Sequence, residues 1–241
     1  MILADCHVHS AFSDDCETPV EQMIETAIAQ GKKYFYLTDH QDFDYPVMDD
    51  GVTFQLAQEP YVRRMEELKY QYKDKIDIRI GVELGLMAHI KDKTEAYAKA
   101  YDYDFIIGSS HMVNGVDPYY PAYYADKNEY QAYEQYFLSI LDNVKAYDCY
   151  HVYGHLDYIM RYVPNQTKPY DPMAYGDIFR EILKTIIDHG KGIEVNTGSL
   201  YKGFDFPHPH AAILKLYKDL GGEHITIGRD AHKLQQYGYE L

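Results

Sequence analysis

Histidine and carboxylate recur along this chain where they can act together: His7 and His9, His40, Glu83, His111, His155, and Asp230 with His232. Imidazole combined with carboxylate is the ligand set that suits Zn, Fe or Mn. His7-Val8-His9 reads as the end of a strand, where side chains two residues apart share a face, so both imidazoles can grip one ion. Taken singly, each feature has an ordinary use. A lone His-x-His pair is commonly incidental, Glu83 reads as an ion-pair partner, and His111 as a satisfied loop residue. Yet six of the twelve histidines fall at the ends of successive predicted strands, and independent structural uses would not all select one end. The pattern therefore predicts a multinuclear metal site. His89, His151, His189 and His224 fall at strand starts, helix ends or off-phase positions and read as capping or surface residues. His208 and His210 flank Pro209 at a predicted helix start, where capping is the favoured use.

For these residues to meet, the strands that carry them must run parallel and end on one face. Short β-branched or aromatic runs alternate with helix-period stretches, the pattern of βα units around a parallel sheet. Seven strands are predicted: Ile2–His9, Tyr34–His40, Ile76–Glu83, Phe105–His111, His151–Asp157, Gly192–Thr197 and His224–Asp230. In a closed barrel their C-terminal ends converge on the face where barrel enzymes place their active sites. Thr18, Pro19 and Glu21 form a predicted capping box for the first helix, and Gly31 ends it. Further helices are predicted over about 55–73, 93–101, 127–147, 172–188 and 209–220. The Tyr/Pro-rich stretch 114–126 reads as a lid-like loop. No linker, repeat or low-complexity tract divides residues 1–241, so one domain is expected.

With 46% hydrophobic and 25% charged residues, the 241-residue chain has a globular composition with a substantial core. Its 23 Lys and Arg against 38 Asp and Glu give a net charge of −15, which repels phosphate backbones and argues against nucleic acid as a partner. The 27 tyrosines, with no tryptophan, lack the interleaved cations of a base-stacking surface. No apolar run is long enough for a membrane span, and the first residues do not resemble a signal peptide. Cys6, Cys16 and Cys149 form no C-x-x-C pair or disulfide framework. A cytoplasmic protein acting on a small molecule is expected; oligomeric state is not written in the sequence.

Six blocks now stand in order: Asp5-Cys-His7-Val-His9-Ser10, Thr38-Asp39-His40, Gly81-Val-Glu83-Leu-Gly85, Gly108-Ser-Ser-His111, Gly154-His155-Leu-Asp157 and Gly228-Arg-Asp230-Ala-His232. Together, from His7 to His232, they resemble the polymerase-and-histidinol-phosphatase (PHP) family of metal-dependent phosphoesterases. The Gly-Ser-Ser-His block, the stretch after Gly154 and Ile193-Glu-Val-Asn-Thr197 are most similar to its histidinol-phosphate phosphatase branch. The resemblance implies a distorted seven-stranded (β/α) barrel, TIM-barrel-like, with two to three divalent ions (Zn, Fe or Mn). It implies that His7, His9, Glu83 and Asp230 hold one ion, that Glu83 bridges to a second held by His111 and His155, and that His40 and His232 help hold a third. A further ligand is implied after the first strand, at Asp15, with Asp14 as the alternative.

The reaction implied is hydrolysis of L-histidinol phosphate by a metal-bridged hydroxide, the alternative being another small phosphate ester or a nucleotide. Glu83, His232 and Arg161 are the candidate catalytic residues. His232 or a bound water would supply the leaving group's proton, and Arg161 would fork onto the phosphate oxygens. Two departures from the family bear on phosphate binding. Arg229 stands where a small residue is usual, and Gly198-Ser-Leu-Tyr201-Lys202 stands where the branch tends to carry an arginine. Arg229, Tyr201 and Lys202 are therefore candidate substrate contacts. Asp42, with Asp44 or the 114–126 loop, is expected to wall the cleft around a cationic amino-imidazole alcohol. Leu241 ends the chain soon after His232, leaving little room for the helix that usually closes such barrels.

Overall fold

Parallel strands buried on both faces read as continuous apolar runs, and Ile80 to Leu86 is such a run interrupted by Glu83. The computed structural model describes residues 3–46, 51–164 and 169–237. Its strands, in chain order, are β1 (Ala4–Asp5), β2 (Tyr34–Leu37), β3 (His40–Asp42), β4 (Asp77–Gly85), β5 (Phe105–Ser109), β6 (Val152–Tyr153), β7 (Gly192–Asn196) and β8 (Ile225–Gly228). All neighbours pair in parallel in the order β1-β2-β4-β5-β6-β7-β8, and β3 continues the path of β2 along β4. Beyond β1 and β8 the chain closes the ring: Cys6 N donates to Ile227 O at 3.0 Å, Asp230 N to His7 O at 2.9 Å and His9 N to Ala231 O at 3.0 Å. The result is a nearly closed barrel of seven parallel strands, as the sequence predicts.

Helices α1 (Val20–Ala29), α2 (Gln58–Tyr72), α3 (Lys91–Lys99), α4 (Glu129–Ala146), α5 (Gly176–Asp188), α6 (Gly198–Tyr201), α7 (Ala211–Asp219) and α8 (Leu234–Tyr237) accompany the strands. Helix α5 shows why they dock: Phe179, Ile182, Leu183 and Ile186 recur at helical spacing and are all buried. The short α8 packs on α1, where Gln30 Nε2 donates to Tyr237 O at 3.0 Å. No described helix is long and apolar enough to cross a membrane.

Several local expectations are corrected. The first strand ladder covers only Ala4–Asp5, beyond which Cys6 N donates to Ile227 O and Val8 O accepts from Thr38 N; Ile2, its expected start, lies outside the described residues. Thr18 does not cap α1. Its hydroxyl donates to His232 O at 3.3 Å, Cys16 Sγ reaches the same carbonyl at 3.0 Å, and Glu21 pairs instead with Arg64. Tertiary partners have outcompeted the local cap. A capping box does form at α4, between Asn128 and Gln131. Within the stretch 114–126, Asn114 and Gly115 (φ 51° and 77°) make a tight reversal between paired Val113 and Val116, and Asp117 and Tyr123 are buried.

Candidate metal centre and substrate cleft

The C-terminal ends of the strands carry the ligand-type side chains to one place. Glu83, near the end of β4 and fully buried, stands at the centre. Its Oε2 lies 3.1 Å from His7 Nε2, 3.1 Å from His40 Nδ1 and 3.5 Å from His9 Nε2. Its Oε1 lies 2.9 Å from His155 Nε2 and 3.2 Å from His111 Nε2, and accepts from Ser109 Oγ at 2.6 Å. Burial opposes charge on Glu83, but His7, His111 and His40 hold its carboxyl well below the ordinary range. Asp230 Oδ1 lies 3.4 Å from His9 Nε2 and 3.8 Å from His7 Nε2, so the His-x-His pair does share one face. Asp15 Oδ2 is 3.1 Å from His232 Nε2 and 3.8 Å from His40 Nε2. Asp14 turns away and accepts from Thr53 N, Thr53 Oγ1 and Phe54 N. The nine candidate ligands are therefore brought together, with Asp15 and not Asp14 among them.

The donor set fits metal ions. Groups of three donors lie within 4.8 Å of one another at His7/His9/Asp230, His7/Glu83/His155, His40/Glu83/His111 and His9/His40/His232. His9 Nε2 and His40 Nδ1 are buried ring nitrogens with no hydrogen bond. Such nitrogens are costly to bury unless something accepts their lone pair, and a cation does so.

Behind the ligands stand carboxylates that fix their ring orientation, as imidazole ligands generally require. Glu194 Oε1 lies 2.6 Å from His7 Nδ1, and its Oε2 accepts from His155 N at 3.0 Å. Asp42 Oδ2 lies 2.6 Å from His111 Nδ1. Asp39 accepts from Ser10 N, Ser10 Oγ and Ser13 Oγ, tying the loop after β1 to that after β2. Glycines make room: a Cβ on Gly85 would stand 2.4 Å from Asp42 Cγ, and one on Gly228 would stand 2.3 Å from both Glu194 Oε1 and His7 Cβ. Sequence reading missed Glu194 as an orienting residue. Its signal was a carboxylate inside the apolar run Ile193-Glu194-Val195.

A cleft of about 190 Å³ opens over the cluster. Arg161 and Lys202 are in its wall. Arg161 donates from Nη1 to Asp230 Oδ2 at 2.8 Å and from Nη2 to Asn196 Oδ1 at 2.9 Å, and lies 5.0 Å from the Tyr158 ring centre. Burial, with Arg161 nearby, pulls the Lys202 ammonium down to about 8. Tyr201 is exposed and stands beside the cleft, not in its wall. Asp44 is exposed and paired with Lys93 at 3.2 Å, leaving the cleft wall to Asp42 and Asp117. Asp42 belongs to that wall, but one of its oxygens is taken by the candidate ligand His111. His210 caps α7, its Nδ1 accepting from Ala212 N at 3.2 Å, while His208 is buried against Asp157 at 2.7 Å.

Arg229 is corrected more sharply. The chain has left β8 at Gly228, and Arg229 Nη1 donates to buried Asp5 Oδ2 at 3.0 Å, beside Tyr237. Asp230 itself takes φ 56°, a strained value for a non-glycine, as its carboxylate faces the cluster. Arg229→Ser would leave the buried Asp5 carboxylate with backbone amides but without its guanidinium, so a stability loss of up to about 3–5 kcal/mol is expected. Thermal unfolding should show it, with kcat/KM of the folded, metal-loaded enzyme unchanged. A loss of kcat/KM of about tenfold or more at unchanged stability would return Arg229 to the phosphate.

With fold and site together, the chain belongs to the PHP domain family, whose family model matches residues 5–198. The histidinol-phosphatase of Lactococcus lactis subsp. lactis is 34% identical over 232 residues, covering 95% of this chain and 83% of that protein. A probable histidinol-phosphatase of Clostridium acetobutylicum is 30% identical, covering 97% and 88%. The crystal structure of the Lactococcus lactis histidinol phosphate phosphatase, complexed with zinc, L-histidinol and phosphate, superposes with a TM-score of 0.85 at 30% identity, covering 98% of this chain and 89% of that one. A putative histidinol phosphatase of Listeria monocytogenes shares the fold at a TM-score of 0.80 and 21% identity, covering 98% and 97%.

Proposed function

We propose that this chain is a metal-dependent phosphomonoesterase that hydrolyses L-histidinol phosphate to L-histidinol and phosphate, a step of histidine biosynthesis. The observation that carries this reading is the convergence of nine ligand-type side chains beside Arg161 in a PHP barrel whose 34%-identical relative is a histidinol-phosphatase. His7, His9, Glu83 and Asp230 would hold one ion, Glu83 with His111 and His155 a second, and His40, His232 and Asp15 a third. Divalent ions there would supply Lewis acidity and a water acidified into the neutral range. Glu83 would serve both of the first two positions, since each of its oxygens faces a different set of imidazoles. Arg161 presents a planar fork to the phosphate oxygens, and Lys202 adds a second positive charge on the same wall. His232 Nε2 serves either a third ion or the proton delivered to the leaving oxygen; the metal count decides between these roles.

Metal analysis of protein purified without chelator, followed by a phosphate-release panel, tests the reading. Two to three transition-metal ions per chain are expected, with the highest kcat/KM on L-histidinol phosphate. Dialysis against chelator should abolish turnover, and adding back Zn, Fe or Mn should restore it. Full turnover in metal-free protein would overturn the metal-dependent mechanism. A sugar phosphate or nucleotide preferred over histidinol phosphate would overturn the substrate.

A further inference from the structure

The cleft must hold both ends of its substrate, and the ion cluster with Arg161 accounts only for the phosphate. Histidinol phosphate also carries a primary ammonium, which needs an anion when desolvated. Asp117 is such an anion. The Asn114-Gly115 reversal brings the chain back across the end of β5 and sets Asp117 in the cleft wall, 5% exposed. Its Oδ2 accepts from Tyr45 OH at 3.0 Å and its Oδ1 from Tyr119 N at 2.7 Å, which fixes the carboxylate plane. No lysine or arginine among the described residues pairs with it. Each oxygen keeps acceptor capacity, since a carboxylate offers about four lone-pair directions.

A second observation points the same way. Asp42, in the same wall and 1% exposed, has a buried Oδ1 with no hydrogen-bond partner, its other oxygen being taken by His111. Two buried carboxylates thus border one small cleft without a lysine or arginine partner between them. Burial pushes the Asp117 carboxyl up, against the Tyr119 amide, the His111 imidazole and the Tyr45 hydroxyl, which favour its charge. Tyr158 and Tyr162, with ring centres 5.1 Å apart, stand in the same wall, but Arg161 already lies 5.0 Å from the first ring centre and Lys202 6.0 Å from the second, which leaves the carboxylates as the groups for an ammonium.

We propose that Asp117 is the residue that selects the substrate's amino group, accepting the ammonium of histidinol phosphate while Arg161 faces its phosphate. This rests on the function proposed above. Phosphate esters without an ammonium group would bind the same ions and the same arginine but gain nothing from Asp117.

The test compares L-histidinol phosphate with its deamino analogue, an imidazolylpropyl phosphate, on the metal-loaded enzyme. Asp117→Asn and Asp117→Ser both remove the charge, and the ratio of kcat/KM is read from whichever is soluble. On histidinol phosphate a loss of about ten- to a hundredfold is expected, the worth of a charge-assisted hydrogen bond, with the analogue unaffected. Asp117→Glu, which keeps the charge, should recover part of the preference. Equal loss on both substrates would show a merely structural role, and no loss on either would show that the ammonium binds elsewhere; each overturns the assignment alone. A wild-type enzyme that does not turn over histidinol phosphate would overturn the function reading itself.

Discussion

Glu83→Gln should abolish phosphate release, with kcat falling by about 10³-fold or more, beyond the 10²–10³ typical of losing one charge-stabilising donor. The geometry sets this scale. One carboxylate meets His7, His9 and His40 through one oxygen and His111 and His155 through the other. An amide keeps the shape and the bond from Ser109 Oγ, but offers one acceptor and no charge. The two ions that Glu83 would join lose their common ligand, so metal content should fall by more than one ion per chain. The fold should survive, as the substitution is nearly isosteric. Wild-type turnover with full metal occupancy in Glu83→Gln would sink the multinuclear site.

Arg161→Ala should lower kcat/KM by about 10²-fold, the loss of a bidentate charge-assisted pair at roughly 1.5–3 kcal/mol per bond, tempered by non-additivity. Inhibition by inorganic phosphate should weaken in parallel, which separates loss of phosphate binding from general damage. Arg161→Lys should recover little, since an ammonium cannot span Asp230 and Asn196 as the guanidinium does. Metal content must be measured alongside, because Arg161 also pairs with the ligand Asp230. Unchanged kcat/KM in metal-replete Arg161→Ala would remove it from the phosphate site.

Much of this site was legible because its chemistry demands particular residue types at strand ends. A His-x-His pair, a carboxylate closing an apolar strand, and four further histidines after strands can be read from types and periodicity alone. What could not be read is what depends on neighbours distant in sequence. Asp14 and Asp15 are indistinguishable until Thr53 and Phe54 claim Asp14. Arg229 looked like a replacement for a missing phosphate ligand, but its partner Asp5 sits at the other end of the chain. Glu194 was visible as a buried-strand carboxylate without any sign that His7 was its partner. The Thr18 capping box failed for the same reason, since a carbonyl more than two hundred positions away outbid a local amide.

The closure of the barrel joins the first residues of the chain to the last. Among the described residues only a few backbone bonds make the seam, from Cys6, His9 and Asp230, and the strands beside it are short. The candidate ligands straddle it: His7 and His9 on one lip, Asp230 and His232 on the other. Contacts so distant in sequence form late in folding, after loop-closure entropy has been met. A cation held across the seam would therefore engage only a nearly native chain, act little on the rate of folding, and chiefly slow unfolding. Its second role would be that of a kinetic lock, setting the lifetime of the barrel as well as its reactivity.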